Sequence, residues 1–78
     1  METDFYETKN LHISAYLYAS GLQLVTTKNQ GKEIFFVFTP KLKAEDLVNK
    51  YFKDQASINP RELFARLSDL KDLIFSKN

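Results

Sequence analysis

His12 is the only histidine in the chain and the one side chain that could exchange a proton near neutral pH. A serine nucleophile would need such a base within hydrogen-bond reach, and a third group to orient the base. The nearest serine, Ser14, is two residues on, and at that spacing the two side chains of a helix point in different directions. The chain has no cysteine, which excludes thiol chemistry and cysteine-built metal cages. Glu45 and Asp46 are neighbours rather than partners one helical turn apart, and neither HExxH nor EF-hand spacing occurs, so no metal site is expected. Gly21 follows an apolar segment instead of opening a helix, and Gly31 sits in a polar turn, so neither belongs to a phosphate-binding loop. No catalytic residue, cofactor or small-molecule substrate is expected, and the chain reads as a binding protein rather than an enzyme.

Two groups of residues could carry binding. The middle of the chain is mildly basic: residues 28–53 hold six lysines against Glu33, Glu45 and Asp46. Lys28 and Lys32 flank a turn, and a helix running back toward that turn would bring Lys50 and Lys53 near them, a patch able to hold phosphates. Arg61 and Arg66 are five apart and share no helix face cleanly. The second group is apolar. Ile34 to Phe38 is an unbroken apolar run, so Phe35 and Val37 should lie on the strand face opposite Phe36 and Phe38. In the last helix Leu63, Leu67, Leu70, Ile74 and Phe75 together exceed what packing on a small sheet requires.

These residues must be positioned by few elements. Phe5–Thr8 reads as a short strand. Asn10 or Thr8 caps a helix over Leu11–Ser20, with Leu11, Ala15 and Tyr18 along one stripe and Ile13 and Leu17 widening it, and Gly21 ends it. Leu22–Thr27 and Ile34–Phe38 form a hairpin around Lys28–Lys32. A strand apolar on both faces implies burial on both, so a cover over its second face is expected from a helix or from another molecule. After Thr39-Pro40, the spacing of Ala44, Leu47, Val48, Tyr51 and Phe52 marks a helix, with Glu45 and Asp46 near its start and Lys50 and Lys53 near its end, as the helix dipole favours. Asn59-Pro60, with Glu62 at the third helical position and Ile58 and Leu63 at the staple positions, opens a final helix reaching about Ser76. The result is an α+β fold of order β-α-β-β-α-α: a small three-stranded sheet with helices mainly on one face. Leu11, Ala15, Leu22, Leu24, Phe36, Phe38, Leu47, Val48, Phe52, Leu63, Leu67 and Leu70 should form its core.

Seventy-eight residues at 44% hydrophobic content, with seven Phe and four Tyr, suffice for one domain, residues 1–78, and one core. A core this small leaves little room for an enclosed ligand pocket. The acidic Met-Glu-Thr-Asp start lacks a signal-peptide pattern, and no apolar run approaches the length of a membrane span. A cytoplasmic protein without membrane contact is the expectation.

The pattern Tyr6-x-Thr8-x-Asn10-Leu11, Ala15-x-Leu17-x-Ala19-x-Gly21 and Phe36-x-Phe38 resembles a family of small bacterial, archaeal and phage-associated proteins catalogued only as a domain of unknown function. Ala44-Glu45-x-Leu47, Asn59-Pro60-Arg61 and Leu70-Lys71-x-Leu73-Ile74 are similar to it too, so the resemblance covers nearly the whole chain. These positions are caps, turns and core, and they identify a fold more than a site. The resemblance implies no catalytic residues, and the family's occurrence in mobile elements points toward a nucleic-acid or host-protein partner. The first expectation is a non-enzymatic protein-binding or self-associating module, pairing with a protein partner or with itself as a homodimer, and acting through Phe35, Val37, Leu70, Ile74 and Phe75. The alternative is a small nucleic-acid-binding accessory protein of a phage or mobile element, using Lys28, Lys32, Lys50 and Lys53.

Overall fold

Strand order, which periodicity leaves open, puts the all-apolar strand in the middle. The structure is a computed structural model and describes residues 4–75. Its elements are β1 (Tyr6–Thr8), α1 (Leu11–Ala19), β2 (Gln23–Gln30), β3 (Glu33–Thr39), α2 (Lys41–Phe52) and α3 (Pro60–Phe75). The sheet runs β1-β3-β2, with both neighbours antiparallel to β3. Tyr6 lies opposite Phe38 and Thr8 opposite Phe36 on one side, while Lys28 opposes Phe35 and Gln30 opposes Glu33 on the other. The β2–β3 strands continue to Gln30 and Glu33, so the hairpin turns over Gly31 and Lys32 alone, tighter than the five-residue turn the polar run suggests. Gly31 takes φ 63° there while Lys32 stays at negative φ, the sign pattern of a type II′ turn.

Phe36 and Phe38 face the helices and are sealed in one core with Ile13, Ala15, Tyr16, Leu17, Leu22, Ala44 and Leu70. All three helices gather on this side. The expectation of a stripe along α1 needs correcting: five consecutive residues, Ile13 to Leu17, are buried, so this helix has no polar face over its centre. It lies in the middle of the helical side, where α2 and α3 both pack on it. A helix enclosed all round needs its polar atoms satisfied within itself. Ser14, fully buried, donates its hydroxyl to the Asn10 carbonyl at 2.8 Å. Both expected caps are made: Asn10 Oδ1 accepts from the Ile13 N–H at 3.0 Å, and Thr8 Oγ1 accepts from the Asn10 N–H at 3.1 Å. Gly21, at φ 98°, closes the helix, with its own N–H donating to Tyr18 O and Leu22 N–H to Leu17 O.

The other sheet face carries no helix, yet Val37 at its centre is only 3% exposed. Its cover comes from the flanking strands. Glu7 sits opposite Val37 on β1 and Lys28 opposite Phe35 on β2, and the two meet across β3 at 2.7 Å. Lys9 and Glu33 pair at 2.6 Å toward the hairpin end. The aliphatic stems of these long side chains shield the apolar strand while their charges stay in water. The cover that the sequence demands is supplied by the sheet's own ion pairs.

α2 begins at Lys41, earlier than its apolar spacing suggests. Its first turn therefore holds Lys41 and Lys43 and no acid, contrary to the expected dipole pattern in which Glu45 and Asp46 open the helix. Asp4 compensates from a distance: its Oδ1 accepts from the Lys41 N–H at 3.1 Å, and its carbonyl accepts from the Thr39 hydroxyl at 2.8 Å. Asp54, at φ 57°, ends α2 as Gly21 ends α1. In α3, Asn59 Oδ1 accepts from the Arg61 N–H at 2.8 Å, Ile58 and Leu63 pack against the core as a staple should, and Glu62 turns to Arg66 at 3.3 Å. Arg66 also lies 5.1 Å above the Tyr18 ring. The expected end near Ser76 lies outside the described residues.

Candidate protein-binding face

The last turn of α2 lies against α1, where it meets the ring of Tyr16. Tyr51 leans on that ring with centroids 5.5 Å apart, and Phe52 meets Tyr51 edge-on at 5.3 Å. Consecutive helical residues diverge by about 100°. When Tyr51 turns toward α1, Phe52 is therefore swung outward, and it is 69% exposed rather than part of the core as its spacing suggests. Across from it, the first turns of α3 direct Leu63 and Leu67 inward and leave Phe64 65% exposed. Between these helices lies an apolar cleft of about 100 Å³ lined by His12, Ala15, Tyr51, Leu63, Phe64 and Leu67. It can admit one apolar side chain and little more.

The structure distributes the sequence-derived apolar candidates widely. Leu70 is 1% exposed and belongs to the core, as its contacts with the Phe36–Phe38 side require. Val37 is sealed under the Glu7–Lys28 bridge, and Phe35 is half-buried beside it. Ile74 packs on the core margin, and Phe75 projects at 69% exposure from the end of α3. The four lysines do not form one patch. Lys28 lies on the helix-free sheet face with Glu7, whereas Lys50 stands on the helical side among Tyr16, Ala19 and Ser20, 3.5 Å from Asp46. Lys32 is in the hairpin turn and Lys53 caps α2.

Tyr51, Phe52 and Phe64 are the residues sequence reasoning missed as surface. The adjacency of Tyr51 and Phe52 was the available signal, because one helix face seldom buries both of two consecutive aromatics. Among the described residues no group of His, Asp and Glu is arranged to hold a metal ion. Away from this face, on β1, burial and then the Glu45 charge push the Tyr6 phenol above its ordinary value.

Residues 3–76 match the model of a family described as a domain of unknown function, DUF5659, and the chain belongs to that family. No curated protein and no solved structure matches it.

Proposed function

We propose that this member of the DUF5659 family is a non-enzymatic protein-binding or self-associating module that works through the face formed by His12, Tyr51, Phe52 and Phe64. The exposure of Phe52 and Phe64 beside an apolar cleft carries the reading. Phenyl rings held in water each release about 1–2 kcal/mol when a partner covers them. A socket of side-chain size, ringed by aromatics and lacking carboxylates, is the form that concentrated binding energy takes at protein interfaces. Function in the cytoplasm of a bacterium or archaeon, or within a phage-infected cell, is part of the same proposal. It rests on the family resemblance, and no helix among the described residues is long and apolar enough to cross a membrane.

A photoreactive phenylalanine analogue at position 64, irradiated in cells, tests the reading. Discrete protein adducts that survive nuclease and disappear in a Phe52→Glu background are expected. Nuclease-sensitive adducts would favour the nucleic-acid alternative instead, and no adduct at all would overturn the protein-binding reading. Sedimentation of the purified chain separates self-association from a different partner.

A further inference from the structure

A larger cleft of about 380 Å³ lies between the end of α1, α2 and the connector before α3, walled by Tyr16, Leu47, Ile58, Lys50, Gln55 and Ser57. That is within the size range of small-molecule sites, about 300–1,000 Å³. Tyr16 is its informative residue. The side chain is 3% exposed, yet its hydroxyl has no hydrogen-bond partner among the described residues. The neighbouring serine hydroxyls are bonded: Ser14 donates to Asn10 O, and Ser20, the C-cap of α1, to Tyr16 O, both at 2.8 Å. Nor is the Tyr16 hydroxyl walled off from solvent. Tyr16 lines this cleft, and its hydroxyl is neither bonded nor fully enclosed.

The remaining polar groups of the cleft point to one ligand chemistry. Lys50 supplies an ammonium, Ser57 a hydroxyl and Gln55 an amide, and no carboxylate lines the wall. Asp46 reaches Lys50 only at 3.5 Å, from outside the lining. The α2 carbonyls at this end are already occupied, Lys50 O by the Gln55 N–H at 2.8 Å and Tyr51 O by the Asp54 N–H at 3.3 Å. The side chains offered are thus one ammonium, hydroxyls and an amide, with no negative charge, against an apolar backing of Leu47 and Ile58. We infer that this cleft binds a small organic anion, a carboxylate on an apolar body, with the Tyr16 hydroxyl and Lys50 ammonium on the carboxylate and Leu47 and Ile58 against the body.

Phenylacetate and its neutral analogue phenylacetamide, titrated into the isotope-labelled chain and followed by amide NMR, test this. Phenylacetate should bind with a dissociation constant on the order of 1 mM, moving the amides of Tyr16, Ser20, Lys50, Gln55 and Ser57. Phenylacetamide should bind about tenfold more weakly. Tyr16→Phe, which removes only an unpartnered hydroxyl, and Lys50→Gln should each weaken phenylacetate about tenfold with the rest of the spectrum unchanged. No movement of the cleft amides at 20-fold the expected constant, equal binding of acid and amide, or an unaltered constant in Tyr16→Phe would each overturn the inference.

Discussion

Two of the regions that carry aromatic and aliphatic side chains without a helix over them resolve the problem in opposite ways. On the helix-free face of the sheet, Glu7–Lys28 and Lys9–Glu33 lie over and beside Val37 and Phe35. Between α2 and α3, no charged pair among the described residues involves this margin, and Phe52 and Phe64 stay about two-thirds exposed around a cleft. Long side chains on neighbouring strands stand about 5 Å apart and can cross a central strand. Residues at the end of one helix and the start of another have no such regular neighbours. Apolar content alone therefore does not mark an interface; what marks it is apolar surface that the chain's own geometry leaves uncovered.

If that contrast is right, substitutions should separate cleanly by location. Phe38→Ala, in the core between sheet and helices, should destabilise the fold by about 3–5 kcal/mol, read as a shift in the urea midpoint. Gly21→Ala meets no steric obstacle but forces a left-handed backbone on alanine, and should cost about 1–2 kcal/mol. Asp54→Gly, at the equivalent position of α2, should stabilise by about 0.5–1 kcal/mol by removing the same strain. Glu7→Gln should cost about 0.2–1 kcal/mol because its ion pair is solvent-exposed, with the loss shrinking in high salt. Phe64→Glu should leave thermal stability within about 0.5 kcal/mol of the parent while abolishing adducts formed at a photoreactive residue placed at position 52. A large stability loss in Phe64→Glu would place that ring in the fold and dissolve the contrast.

Local signals in the sequence were the ones that held. Asn10, Gly21 and Asn59-Pro60 act through hydrogen bonds and dihedrals of their immediate neighbours, so residue type is enough to read them. Asp54 performs the same task as Gly21, but aspartate has many uses and its left-handed conformation is invisible in the sequence. The start of α2 was misplaced because its N–H acceptor, Asp4, is 37 residues away in the chain. The all-round burial of α1 depends on both other helices docking on it, which periodicity within ten residues cannot report. For the same reason Leu70 reads both as core and as surplus, and Phe52 as core: each is judged by its own helix, and each is decided by what that helix lies against.

The most direct measurement places the photoreactive phenylalanine analogue at position 64 in one variant and at position 35 in another, and compares their protein adducts in the same cells. The account predicts discrete adducts from position 64 and none from position 35, where the ion pairs close the surface. Adducts from position 35 with none from position 64 would contradict it, and would move the binding face to the sheet.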